Sequence, residues 1–210
     1  MLFAAGGVAV ERFFGRRSRR RWPLPAYAAV LAVSGVIVAP ITVVPVLPAA
    51  TLAGITGAFG GDAGVEVETR EVAELPQIFA DRFGWESMAE TVARVHDRLP
   101  PEERSEACVL AGNYGEAGAI DFFGAKHGLP KAISGHNNYY LWGPGDCSGE
   151  TVVSVGVPRE RLEGVFGRIE RSGTVRCRYC MPDEDNLPVY VSRDPRLPLE
   201  AAWPRFKRYD

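Results

Sequence analysis

Apolar and polar residues alternate with recognisable periods along the last two thirds of the chain, but not along the stretch before it. From Trp22 to Gly61 no Asp, Glu, Lys or Arg occurs. Within that stretch Leu24–Ala39 is an apolar run of about 24 Å if helical. Continuing through Pro40 to Val46 supplies the roughly 20 residues that a spanning helix requires, with a kink expected at Pro40 and stops at Pro45 and Pro48. The pattern therefore predicts one transmembrane segment over 23–48, with Trp22 and Tyr27 suited to the interfacial belt. A cleaved secretory signal is the alternative. The long basic region before the run, and a run longer than a signal core, favour a retained span.

Beyond a Gly/Ala-rich linker (49–74) the pattern changes to that of a layered domain over 75–210. Met88, Val92, Val95 and Leu99 recur at helical spacing and predict a helix over 86–99, ended by Pro100-Pro101. Ala107-Cys-Val-Leu-Ala111 is a short apolar run expected as a buried strand. Asn113 to Ala117 follows as a turn, and 117–127 as a second helix. Lys131–Ser134 and Thr151–Val157 are further strands, the latter the clearest. Pro158 opens a helix-like stretch to Phe166, and Val175–Cys177 and Val189–Ser192 are strand candidates. Alternation of strands and helices predicts an α/β domain with a mainly parallel sheet.

Charge divides the chain in the same place. Residues 1–61 carry Arg12, Arg16, Arg17, Arg19, Arg20 and Arg21 against Glu11, a net of +5, whereas the remainder carries 18 Lys/Arg against 25 Asp/Glu, a net of −7. An acidic domain lacks the basic surface that displaces counterions from nucleic acid, so no nucleic-acid partner is expected. Arginines ahead of an apolar span mark the cytoplasmic flank. This predicts a cell-membrane protein with a basic cytoplasmic loop in 1–22 and an extracytoplasmic domain. The apolar start, Met1–Val10, is expected to be the tail of a preceding span, making the chain the end of a larger multi-span protein.

Three constellations could carry chemistry. Gly112-Asn-Tyr-Gly-Glu-Ala-Gly118 is a strand-to-helix turn whose helix end could hold a polar ligand through Asn113, Tyr114 and Glu116. Its glycine spacing is neither a dinucleotide fingerprint nor a P-loop, and it serves equally as a tight turn with Glu116 at the positive helix end. Ser134-Gly-His-Asn-Asn-Tyr-Tyr-Leu-Trp-Gly-Pro-Gly145 gathers His136, Asn137, Asn138 and Trp142, the combination of stacking faces and amides that holds sugars. A structural loop with Trp142 packed on the core accounts for the same residues. His96 and His127 are expected on helix surfaces, and Asp183-Glu-Asp185 as a solvated run. Glu116 and Asp121, five apart, do not share a helix face.

The third constellation is cysteine. Cys177-Arg-Tyr-Cys180 is a C-x-x-C, with Cys108 and Cys147 isolated, so the paired spacing of a four-cysteine zinc site is absent and no metal is expected. Outside the membrane, disulfides are favoured. The preferred bridge joins Cys147 to Cys177 or Cys180, with Cys108 a buried free thiol.

Four strings, Leu75-Pro-Gln-Ile-Phe-Ala-Asp-Arg-Phe-Gly-Trp85, Asn113-Tyr-Gly-Glu-Ala-Gly-Ala-Ile-Asp121, Ser134-Gly-His-Asn-Asn-Tyr-Tyr-Leu-Trp-Gly143 and Cys177-Arg-Tyr-Cys-Met-Pro182, occur in this order. They resemble the C-terminal region of bacterial membrane glycosyltransferases grouped with the dolichyl-phosphate-mannose-protein mannosyltransferases (glycosyltransferase family 39 type). The resemblance covers about residues 20–210. It implies a multi-span enzyme that moves a sugar from a polyprenyl-phosphate donor to a glycan or protein acceptor on the outer face. The partners so implied are the lipid bilayer and the remaining transmembrane part of the same enzyme. The family's catalytic carboxylates lie in a first external loop with no counterpart here, so no catalytic residue is carried over. The chain alone is expected to lack transferase activity, and its loops to assist sugar or acceptor binding. The alternatives are a stand-alone, membrane-anchored sugar-binding or sensing module and a thiol oxidoreductase using Cys177 and Cys180.

Overall fold

A computed structural model describes residues 8, 12, 23–42, 47–58 and 74–209. Apart from Val8, the apolar start, together with the arginines from Arg16 to Arg21 and the linker from 59 to 73, lies outside them. The chain divides into two compact units, Met1–Ile55 and Thr56–Asp210.

In the first unit α1 spans Pro23–Thr42, and α2, Ala49–Ala58, begins there and runs past its boundary. Both are uncharged, and Val30, Leu31, Val33 and Val36 on α1 are exposed. Among the described residues, however, no helix is long and apolar enough to cross a membrane. This overturns the expected transmembrane helix.

In the second unit five strands form one mixed sheet in the order β2-β1-β3-β5-β4. The chain passes through α3 (Gln77–Ala80), α4 (Trp85–Asp97) and α5 (Pro101–Arg104) into β1 (Cys108–Ala111). It continues through α6 (Tyr114–Phe123), β2 (Ala132–Ser134), α7 (Tyr139–Trp142), β3 (Thr151–Val155) and α8 (Arg159–Glu163). β4 (Phe166–Thr174), β5 (Pro188–Pro195) and α9 (Leu199–Ala202) complete it. β1 is parallel to β2 and β3, but β5 is antiparallel to both β3 and β4. The sheet is therefore mixed rather than mainly parallel. Parallel neighbours need a crossover of a dozen or more residues, whereas β5 simply returns from β4 and slots in beside β3.

Alternating side chains bury both faces. Val109 and Ala111, Val153 and Val155, and Val189 and Val191 meet Met88, Val92 and Val95 of α4 and Ala117 and Ile120 of α6. The intervening Leu110, Val152 and Tyr190 meet Leu162 of α8, Leu199 of α9, Trp203 and Phe206. This is the three-layer solution for a sheet that is apolar on both sides. His96 belongs to the buried set, not to a helix surface, because α4 turns it inward.

The disulfide joins Cys108 to Cys147, across 39 residues, with Cα atoms 5.8 Å apart, inside the bridging range. Cys177 and Cys180 are free thiols. The expected Cys147 pairing with one of them, and the expected free Cys108, are thus corrected. Cys108 opens β1 opposite Val152 of β3, and the loop carrying Cys147 arrives at that same end just before β3 begins. Closing a loop of this length restricts the unfolded chain by about 4 kcal/mol. A Cys108→Ala/Cys147→Ala variant is expected to lose that much in urea denaturation, with reduced wild-type protein losing a similar amount.

Candidate functional site

β1, β2, β3 and β4 all point the same way, so the four loops that follow them leave the sheet at one end. There β1 and β3, adjacent in the sheet, part company. The chain after Ala111 goes to β2, and the chain after Val155 goes the other way. Such a switch point is where open α/β sheets bind ligands.

The backbones close on each other at this point. Gly112 donates its N–H to Val155 O at 2.9 Å, and a Cβ at 112 would lie 2.2 Å from Gly156 O. Gly156, at φ +65, faces the Glu116 carboxyl, which would stand 2.0 Å from a Cβ there. Asn113 caps α6 by accepting the Glu116 N–H at 2.8 Å, and Glu116 reaches back in a capping box. Its Oε2 accepts from Gly112 N at 2.7 Å and Asn113 N at 3.1 Å, and its Oε1 accepts from Asn113 Nδ2 at 3.0 Å. Only 3 % of Glu116 is exposed.

Burial, and next the negative charge of Glu184, push the Glu116 carboxyl up to about 8, against the opposing backbone N–H groups of Asn113 and Gly112 and the charge of Arg208. At neutral pH it is therefore mainly a protonated acid, holding an O–H as well as acceptor lone pairs. Glu184 comes from the loop joining β4 to β5, and its Oε1 accepts from Asn113 Nδ2 at 3.3 Å. The Asp183-Glu-Asp185 run is accordingly part of the site rather than a purely solvated loop.

From β2, the buried His136 presents Nδ1 to the Tyr114 N–H at 3.3 Å, and the Tyr114 ring lies over its imidazole at 5.1 Å. The C-terminal segment holds this loop in place. Asn137, at φ +50, donates its N–H to Arg208 O at 2.9 Å, and Arg208 N donates to Gly135 O at 2.9 Å. Asn138 is exposed. Trp142, 70 % exposed, packs edge-on against Tyr139, whose hydroxyl donates to Asp121 Oδ2 at 3.1 Å. Asn113, Tyr114, Glu116 and His136 are thus brought together, Asn137 serves the turn, and Trp142 joins a separate aromatic pair.

Two features of this end escaped the sequence reading. A cavity of about 400 Å³ opens beside the first turn of α4, walled by Phe83, Trp85 and Phe123, with Arg82, Glu86 and Glu90 among its polar groups. Glu86 is paired with Lys126, whose hydrogen bond and charge hold its carboxyl below the usual range. Trp85 also closes over the Asn113 turn, since a Cβ at Gly115 would lie 3.1 Å from its ring. The second feature is Gly84, at φ +96, pressed against both thiols: a Cβ there would meet Cys177 Sγ at 3.1 Å and Cys180 Cβ at 3.3 Å. A glycine ahead of a tryptophan and a helix carries no signal for either contact. Among the described residues no group of three or more His, Cys, Asp or Glu could hold a metal ion.

All four of the unusual strings therefore contribute to one end of the sheet, although up to about a hundred residues separate them in the chain. No protein family, curated protein or solved structure matches the chain.

Proposed function

We propose that the α/β unit is a carbohydrate-recognition domain of a glycosyltransferase that draws on a polyprenyl-phosphate sugar donor, binding the sugar or its acceptor and catalysing no transfer itself. The observation that carries this reading is an aromatic-walled cavity that shares Trp85 with the Asn113–Glu116 turn at the switch point of the sheet. Its volume lies in the ordinary range for small-ligand sites. Phe83, Trp85 and Phe123 offer flat apolar faces for sugar C–H groups, and Arg82 and Glu90 offer charged hydrogen-bonding tips for hydroxyls. The link to glycosyl transfer rests on the resemblance of the four strings, and their convergence supports treating them as one recognition surface.

The full chain titrated by calorimetry with a panel of mono- and disaccharides is expected to bind at least one. Phe83→Ala, which removes a partly exposed wall, is expected to weaken that affinity at least about tenfold, or about 1.4 kcal/mol, with unchanged circular dichroism. Absence of heat across the panel would remove the reading. Weakening by Trp142→Ala but not by Phe83→Ala would move the site to the Tyr139–Trp142 turn.

A further inference from the structure

We propose that Cys177 and Cys180 form a reversible dithiol–disulfide site whose closure repositions Glu184 against the Asn113–Glu116 turn. Cys108 and Cys147 are joined, and Cys177 and Cys180 are the two free thiols. The two residues occupy one tight turn. Cys180 donates its backbone N–H to Cys177 Sγ at 3.2 Å, and Cys180 Sγ donates to Cys177 O at 3.4 Å. Gly84 lies against both residues, so nothing larger comes between this turn and the start of α4.

Their environments assign the roles. Cys177 is half-buried and open to a reagent, whereas Cys180 is 5 % exposed. Burial, and next the hydrogen bond with Cys177, raise the Cys180 thiol above its ordinary value, so it is a poor first nucleophile. With a small-molecule disulfide as oxidant, the Cys177 thiolate attacks one of its sulfurs and expels a thiolate, leaving a mixed disulfide on Cys177. Cys180 then gives up its proton and attacks Cys177 Sγ, and the second thiolate leaves. Two protein thiols become one disulfide, and the oxidant becomes two thiols.

The turn is coupled to the candidate site through a short piece of chain. Cys177 N donates to Asp185 Oδ1 at 2.8 Å, which ties the start of the loop to its end. Between them the 3₁₀ turn Pro182–Glu184 carries the carboxylate that accepts from Asn113. Drawing Cys177 Sγ into a covalent bond removes it as the acceptor for Cys180 N and shifts the backbone that leads into that turn.

The test equilibrates the full chain in buffers of reduced and oxidised glutathione, blocks free thiols by alkylation, and digests with trypsin. Cleavage after Arg178 separates Cys177 from Cys180, so the disulfide links two peptides that the dithiol leaves apart. The expected result is a reversible transition to linked peptides, with the amide resonances of Gly112 and Asn113 moving together with it. A Cys177→Ser/Cys180→Ser variant should show no such movement while keeping the Cys108–Cys147 link. Peptides that stay alkylated at the oxidising limit, a persistent mixed disulfide on Cys177, or linkage that leaves the Gly112 and Asn113 amides unmoved would each overturn the proposal.

Discussion

Gly156→Ala is expected to destabilise the α/β unit by about 4 kcal/mol or more, a large fraction of the stability of a typical domain. Two costs add at this position. The backbone is left-handed, at φ +65, which any residue with a Cβ adopts at a cost of about 1 kcal/mol. The new methyl would also lie 2.0 Å from Glu116 Oε1 and 2.3 Å from Oε2, far inside contact distance. The carboxyl cannot retreat without releasing the N–H groups of Gly112 and Asn113, which uncaps α6 and leaves buried donors unsatisfied. Gly128 is the internal control. It is also left-handed, at φ +73, but nothing lies within 4 Å of a Cβ there. Gly128→Ala therefore costs only the conformational part, about 1 kcal/mol. Urea denaturation of the two variants separates steric closure from backbone strain. Equal losses would show that the Glu116 carboxyl does not fill the gap between β1 and β3.

That gap illustrates what the sequence discloses and what it withholds. The apolar runs at 107–111 and 151–157 identify β1 and β3 because both faces of those strands are buried, and the spacing of Met88, Val92 and Val95 identifies α4 because one face of it is. β4 is hidden for the opposite reason. It lies at the edge of the sheet and carries exposed Arg168, Glu170 and Arg171, so Phe166–Thr174 has no apolar signature. The start of α6 lies three residues ahead of the helix the apolar pattern predicts from 117, because the capping box of Asn113 and Glu116 draws the glycine-containing stretch, read as a turn, into the first helical turn. The approach of Glu184 to Asn113, 71 residues away, was not legible, because only the return of β5 beside β3 brings that loop back. Cysteine pairing failed likewise: sequence spacing does not say that Cys147 comes alongside the first residue of β1.

The acid at the centre of the site is expected to make the protein less stable as pH rises from 5 to 8, the reverse of a salt-bridged carboxylate. Its folded pKa of about 8 lies above the ordinary 4.5, so between these values the native state holds a proton that the unfolded chain has released. Stability then falls with rising pH by up to about 1.4 kcal/mol per unit and levels off above about pH 8, a loss of a few kcal/mol in all. His96, whose pKa burial pushes down, acts in the opposite direction, losing stability as pH falls through the ordinary histidine range. Its effect is common to wild type and variant and cancels in their difference. Glu116→Gln isolates the carboxyl because an amide does not titrate. At pH 5 the variant should be the less stable protein. One carboxyl oxygen already takes two backbone N–H groups and the other faces the amide of Asn113, so the Gln nitrogen meets another donor, whereas a protonated oxygen still offers an acceptor. By pH 9 the deficit should shrink by a few kcal/mol, because only wild type then buries a charge. Glu184→Gln removes a cause of the raised pKa, so the decline should start at the same pH but level off at a lower one, with a smaller total loss. Denaturation curves that run parallel for wild type and Glu116→Gln from pH 5 to 9 would mean that this carboxyl titrates alike folded and unfolded, and that the switch point holds an ordinary helix cap rather than an acid able to donate to a ligand.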